Sequence, residues 1–150
     1  MSNQGYSLRK ITEQDYDFIY QVKKDAYIKY VEMNFGEWQE EVQREFFKVF
    51  IERFKEGARV ITFHDEDIGF YNACETDYMY EIGNICIVSD YQNRGIGTAI
   101  LQDVLAEHAD KEIHLQYFKQ NPVGRLYERL GFERVGETPC HYQMRRAAEQ

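Results

Sequence analysis

At 150 residues the chain has the length of one domain, 1–150, with room for a proper hydrophobic core. Its 12 Tyr and 10 Phe against 2 Pro exclude a disordered tail, and a formal net charge of −8 excludes nucleic acid as a partner, because phosphate backbones demand basic patches. No apolar signal segment opens the sequence and no window approaches the roughly 18 apolar residues of a membrane span, so the expectation is a soluble, cytoplasmic protein with no membrane partner.

In chain order, residues 6–11 alternate as a first strand. Thr12 and Asp15 have the spacing of a helix N-cap and its acidic N3 partner. Phe18, Ile19, Val22, Ala26 and Tyr30 then recur at helical period until Gly36. A second helix places Trp38, Val42, Phe46, Val49, Phe50 and Phe54 on its inner face, with Glu40, Glu41, Arg44 and Lys48 outside, and Gly57 closes it. Residues 59–63 and 68–74 form a hairpin about a 64–67 turn. Residues 78–88 make a strand long enough to be central. A helix at 97–109, a strand at 113–118, a short helix at 122–130 and strands near 132–136 and 140–145 complete the chain. Cys74, Cys86 and Cys140 show no paired spacing and read as reduced core thiols. His64, His108, His114 and His141 lack zinc-site spacing, and Asp65-Glu66-Asp67 lacks the glycine-centred calcium pattern, so no metal site is expected.

The most informative segment is Gln92-Asn93-Arg94-Gly95-Ile96-Gly97-Thr98, between the apolar run Ile85-Cys86-Ile87-Val88 and a helix. Glycines at 95 and 97 let backbone N–H groups approach a bound anion, and the helix start adds unpaired donors and a positive dipole end. A dinucleotide fingerprint needs a third small residue where Ile100 stands, and a P-loop needs a Gly-Lys pair that the sequence lacks. The remaining candidate is the Gln/Arg-x-x-Gly-x-Gly pattern for the pyrophosphate of coenzyme A, which residues 92–97 fit without a mismatch.

A second motif, Asn121-Pro122-Val123-Gly124-Arg125-Leu126-Tyr127-Glu128-Arg129-Leu130-Gly131-Phe132, follows after one helix and one strand. Together the two resemble the GNAT superfamily, the Gcn5-related N-acetyltransferases, over residues 78–145 and more weakly over 1–77. The departure is Gly124 where alanine is usual, a small-for-small change expected only to weaken the helix slightly. The resemblance implies a mixed α/β fold in the order β-α-α-β-β-β-α-β-α-β-β, with helices on both faces of a twisted sheet. It implies acetyl-CoA as cosubstrate, its pantetheine arm lying between two parallel strands that splay apart, here 85–88 and 113–118.

Moving an acetyl group from a thioester to an amine passes through an oxyanion. By the resemblance, a backbone N–H at Ile87 or Val88 binds the acetyl carbonyl, and residues 92–98 with Asn121 hold the rest of the donor. Tyr127 stands where the family's general-acid tyrosine lies; with a pKa near 10 it is protonated at neutral pH and can donate to the leaving thiolate. An acceptor amine is neutral only about one part in a thousand at pH 7, equivalent to roughly 4–5 kcal/mol of barrier. A carboxylate can remove that proton. Period-two alternation puts Glu81 on the face of Ile87, and it falls where some histone acetyltransferases of the superfamily keep their base. Many small bacterial members instead carry a glutamate where Asn84 stands, and a water chain to solvent is a third route.

The first half is expected to wall the acceptor site, through Tyr27, Tyr30, Glu32 and Trp38, with His141 reaching it from the last strand. Aromatics beside Glu32 suit a cationic amine, although Trp38 on an apolar stripe reads equally as core. Cys86 lies beside the thioester, but an apolar strand position blunts a thiol, so direct transfer is favoured over a covalent carrier. The partner is then a small-molecule or peptide amine, and a homodimer is compatible with the sequence. The competing class is a non-catalytic GNAT module that binds coenzyme A or acyl-CoA.

Overall fold

The structure, a computed structural model, describes residues 5–149. The order of elements is β1 (Tyr6–Lys10), α1 (Tyr16–Phe35), α2 (Glu40–Phe54), β2 (Ala58–Phe63), β3 (Glu66–Glu75), β4 (Met79–Ile87), α3 (Ile96–Glu107), β5 (Glu112–Phe118), α4 (Gly124–Arg129), β6 (Glu133–Glu137) and β7 (His141–Arg146). This is the expected β-α-α-β-β-β-α-β-α-β-β succession, with most boundaries shifted by one or two residues. The strands form one mixed sheet, β1-β2-β3-β4-β5-β7-β6, antiparallel except between β4 and β5. A parallel pair needs a crossover, and α3 supplies it.

Two apolar layers sandwich the sheet. One gathers Ile61, Ile68, Ile82, Leu115 and Tyr117 against Ile96, Ile100, Leu101, Val104 and Leu105 of α3, with Leu126 and Tyr127 of α4 at its margin. The other packs Val60, Phe70 and Cys86 against Ile19 and Val22 of α1 and Ile51 of α2. The sheet therefore has an α3/α4 face and an α1/α2 face, and a ligand between β4 and β5 meets both.

Three local outcomes differ from expectation. The β2–β3 turn has two residues, His64 and Asp65, with φ of 49° and 68°, so β3 starts at Glu66 and not at 68. Such a doubly left-handed turn matches the twist of the paired strands. In α2 the buried stripe is rotated: Phe47, Phe50 and Ile51 face the core, while Val42, Phe46 and Val49 are exposed. With Phe46 and Phe47 adjacent, two apolar stripes compete, and the one containing Ile51 has the better i, i+3, i+4 fit. Trp38 precedes this helix, its ring edge-on to Tyr20 and its Nε1–H donating to Glu40 at 2.8 Å.

The third difference is a bulge in β4. Asn72 pairs with Asn84 but Ala73 pairs with Ile82, which leaves Gly83 as the extra residue. A bulge reverses side-chain parity beyond it. Glu81 therefore shares the α1/α2 face with Asn84 and Cys86, whereas Ile87 packs against the α3 layer. The alternation argument that placed Glu81 and Ile87 on one face is corrected by this single residue.

The α1 entry is tied down as expected from Thr12 and Asp15. The Thr12 N–H donates to the Asp15 carboxylate at 2.8 Å, and Arg9 grips the same carboxylate with two nitrogens at 2.8 and 3.0 Å. The guanidinium, first among the causes, holds the Asp15 carboxyl below its usual range.

Candidate active site

Strands β4 and β5 pair only at Met79–Glu112, Tyr80–Ile113 and Glu81–His114. Beyond these residues they diverge, and the gap opens into a cavity of about 630 Å³ lined from α1, β4, β5 and α4. The Gly83 bulge sits where the pairing ends.

The backbone of β4 supplies donors to this gap. The Val88 N–H donates to the Ile68 carbonyl at 2.8 Å, on the side away from the gap. In an antiparallel ladder alternate residues turn their N–H groups to opposite edges. Cys86 and Val88 thus point at β3, while Ile85 and Ile87 point at the gap. The Val88 N–H is therefore not free for an acetyl carbonyl, whereas Ile87, and Ile85, which sequence reasoning missed, turn theirs into the gap.

The glycine corner lies at one end of the gap. Gln92 Nε2 donates to the Ile87 carbonyl at 2.7 Å, which fastens the loop to the end of β4. Asn93 and Gly95 take φ of 63° and 83°, and helix α3 begins at Ile96. The first intrahelical bond runs from Ala99 N–H to the Gly95 carbonyl at 3.0 Å, so Ile96, Gly97 and Thr98 precede the first N–H with a helical partner. Arg94 places its guanidinium 4.9 Å from the Tyr91 ring centroid.

Helix α4 closes the same face. Asn121 Oδ1 accepts from the Val123 N–H at 3.2 Å, a local turn just ahead of α4, whose N-cap is Val123 and not Asn121, and Asn121 also lines the cavity. Tyr127 lines the cavity beside Tyr117, ring centroids 5.6 Å apart, and Phe132, at 5.8 Å. Burial, with Tyr117 and Cys86 as lesser causes, pushes the Tyr127 hydroxyl up to about 12. It is a protonated donor at any physiological pH. Gly124 proves to be more than a small-for-small replacement, since a Cβ there would lie 2.4 Å from the Tyr117 hydroxyl oxygen. The methyl group that the usual alanine carries is displaced here by a tyrosine.

On the α1/α2 face, Tyr27 spans the gap. Its hydroxyl accepts from Asn84 Nδ2 at 2.8 Å and lies 3.5 Å from the Cys86 sulfur. Burial raises the Tyr27 hydroxyl well above its ordinary value, and burial likewise pushes the Cys86 thiol up, which supports the reading of Cys86 as an unreactive wall residue. Tyr30 stacks on Phe118 at 5.5 Å, and the His141 ring lies 4.4 Å from that of Phe118. Burial lowers the His141 pKa, so the ring is neutral at pH 7. Asn34 Nδ2, bonded to Gln120 at 3.1 Å, pins the end of α1 to the loop after β5.

Of the expected acceptor residues, the fold brings Tyr27, Tyr30 and His141 to the cavity and leaves two outside it. Glu32 is turned to the Trp38 backbone N–H, accepting at 3.0 Å, and Trp38 is turned to Tyr20 and Glu40. Both fix the α1–α2 connection. Glu81 stands at the closed end of the gap, exposed and not among the lining residues. Two lining residues that sequence reasoning passed over are Lys23, on α1, and Gln116, on β5. Asn72 was missed as well: it is fully buried against the bulge, with Oδ1 unpartnered among the described residues. The signal for Asn72 was an amide within the apolar run of β3. No group of three His, Cys, Asp or Glu side chains poised for a metal occurs among the described residues, nor any helix long and apolar enough to cross a membrane.

A parallel strand pair opens beside a glycine-rich helix start, with main-chain donors along one edge and a tyrosine in the lining of the same cleft. Comparison with known proteins gives the class its name. Residues 55–134 match the model of the acetyltransferase (GNAT) domain, and the chain belongs to the GNAT acetyltransferase family, whose reaction is acetyl transfer. A 66-residue stretch is 32% identical to an uncharacterized protein of Mycobacterium leprae, over 43% of this chain and 18% of that protein. The match thus spans less than a fifth of the length of that relative. Among solved structures, a protein of Pyrococcus horikoshii superposes with a TM-score of 0.74 at 20% identity, over 97% of this chain and 99% of that one. The PaiA N-acetyltransferase of Thermoplasma acidophilum, solved in complex with coenzyme A, gives 0.68 at 16% identity over 95% and 98%. Naa50 of Arabidopsis thaliana, solved with a bisubstrate analogue of coenzyme A and an acetylated peptide, gives 0.64 at 15% over 95% and 99%. These likenesses show the shared fold.

Proposed function

We propose that the protein is an acetyl-CoA-dependent N-acetyltransferase, working as one domain, that acetylates a primary amine of a small molecule or peptide by direct attack. The observation that carries this reading is the gap between β4 and β5, with the Ile85 and Ile87 N–H groups turned into it and Tyr127 at its side. The pyrophosphate lies at Gln92–Thr98 and the pantetheine arm runs along β4 with Asn121 beside it. The acetyl carbonyl accepts from the Ile87 N–H, so charge developing on that oxygen meets an oriented donor.

The acceptor enters from the α1/α2 face, which Tyr27, Tyr30, Phe118 and His141 wall. Its neutral amine attacks the carbonyl carbon, the carbon–sulfur bond breaks, and the Tyr127 hydroxyl protonates the leaving thiolate. Glu81 lies on the acceptor face but outside the cavity lining, so the amine proton leaves through water, with Glu81 as its acceptor or with bulk solvent beyond it. Buried Cys86, hydrogen-bonded to Tyr27, is a poor acyl carrier, which favours direct attack.

Thiol release from acetyl-CoA across an amine panel tests the reading. Release stimulated by an amine, with the N-acetyl product identified by mass, is the expected result. Tight coenzyme A binding with no stimulation by any amine would instead favour a non-catalytic binding module.

A further inference from the structure

Lys23, on α1, is among the residues that line the acceptor side of the cavity. Its Nζ lies 3.8 Å from the Phe50 ring centroid, 5.5 Å from that of Tyr27 and 6.0 Å from that of Phe70. Among the described residues it makes no hydrogen bond or ion pair, whereas its neighbour Lys24 is paired with Glu40 at 3.1 Å. Aromatic faces partly offset the loss of water around an ammonium, but they do not neutralise it.

The other charges of the lining cancel. Its charged side chains are Lys23, Lys29 and Asp25, and the one carboxylate, on exposed Asp25, accepts from Gln21 at 2.8 Å. Asn84, an amide, stands beside Tyr27 on β4. The inner acceptor wall therefore offers a cation and neutral donors. It offers no carboxylate for the distal ammonium of a polyamine, despite the acidity of the chain as a whole.

We propose that the acceptor carries a carboxylate on the same molecule as its amine, and that Lys23 is the specificity residue that binds it. This rests on the reading of the cleft as an N-acetyltransferase site. The aromatic surfaces of Tyr27, Tyr30 and Phe118 accommodate the apolar body of such an acceptor. Burial depresses the Lys23 pKa, and a bound carboxylate would restore the charged form.

Matched pairs test this: phenylalanine against phenethylamine, and alanyl-phenylalanine against its C-terminal amide, the second pair separating a free amino acid from a peptide. Each is titrated calorimetrically onto the coenzyme A-loaded protein and assayed separately for thiol release. In at least one pair the carboxylate member is expected to bind about tenfold or more tightly than its partner. Lys23→Met and Lys23→Gln should bring the ratio toward one while the carboxylate-free member keeps its affinity, and Lys23→Arg should retain most of the preference. Equal binding within both pairs, no binding by any of the four, or a ratio that survives both neutral variants would overturn the proposal. Lys23-dependent carboxylate binding without turnover would retain the anion site and count against the acetyltransferase reading; turnover without carboxylate preference would do the reverse.

Discussion

The two faces of the gap offer different kinds of group. On the α3/α4 face these are mainly main chain: the strand edge at Ile85 and Ile87 and the helix start at Ile96. On the α1/α2 face the wall is made of side chains from several elements, among them Lys23, Tyr27, Asn84, Phe118 and His141. Main-chain recognition needs particular backbone conformations, and these select glycines at set spacings. A side-chain wall can be assembled from many combinations of residues. The first kind of recognition leaves a short pattern in the sequence, and the second leaves none.

Substitutions that act on one face and spare the other test the contrast. The largest effect is expected for Tyr127→Phe, a fall in kcat of about 10²–10³-fold, read by steady-state thiol release. Next is Gly124→Ala. Alanine is intrinsically the better helix former by roughly 1 kcal/mol, yet its Cβ would meet the Tyr117 hydroxyl at 2.4 Å and push that ring toward Tyr127. Activity should fall about tenfold, with Gly124→Ala combined with Tyr117→Phe recovering much of it.

Gly95→Ala forces an L side chain into φ of +83° at the start of α3. At a cost of about 1 kcal/mol, KM for acetyl-CoA should rise roughly fivefold, while the affinity of the coenzyme A-loaded enzyme for the acceptor is unchanged. The smallest effect on catalysis is expected far from both faces. Asp15→Asn loses the charge and one of the two oxygens that the Arg9 fork grips, though its amide oxygen can still accept from the Thr12 N–H, and should lower stability by about 1 kcal/mol in urea titrations, a figure kept small because Arg9 is partly exposed. The folded-state pKa of Asp15 is depressed, so its contribution is complete above the unfolded carboxyl pKa of about 4 and disappears as pH falls through the folded value. Wild type and Asp15→Asn should thus converge in acid.

The same division explains what could be read without coordinates. The order of elements, the glycine corner and the place of Tyr127 are carried by short contiguous patterns, and the fold assembles them as those patterns imply. Glu32 and Trp38 misled because an aromatic or a carboxylate near a pocket wall looks the same in sequence as one that ties a helix connection together. Glu81 was placed by counting twos along a strand, and Gly83 as a bulge changes the count. Which β4 N–H groups face the gap depends on ladder phase, which the pairing of Val88 with Ile68 sets and no local pattern reveals. Lys23 was passed over because a lysine in an amphipathic helix ordinarily lies on the solvent side. Its unpaired state against Phe50 emerges only from packing.

The central claim is that the gap between β4 and β5 holds a thioester whose thiolate Tyr127 protonates. The pH dependence of kcat, measured for wild type and Tyr127→Phe with coenzyme A affinity determined in parallel, tests it most directly. Because burial pushes the Tyr127 hydroxyl up to about 12, the wild-type rate should rise with pH as the acceptor amine deprotonates and show no loss of the acid up to about pH 10. Tyr127→Phe should bind coenzyme A within about twofold of wild type yet turn over about 10²–10³ times more slowly. Wild-type turnover in Tyr127→Phe, with an unchanged profile, would contradict the account.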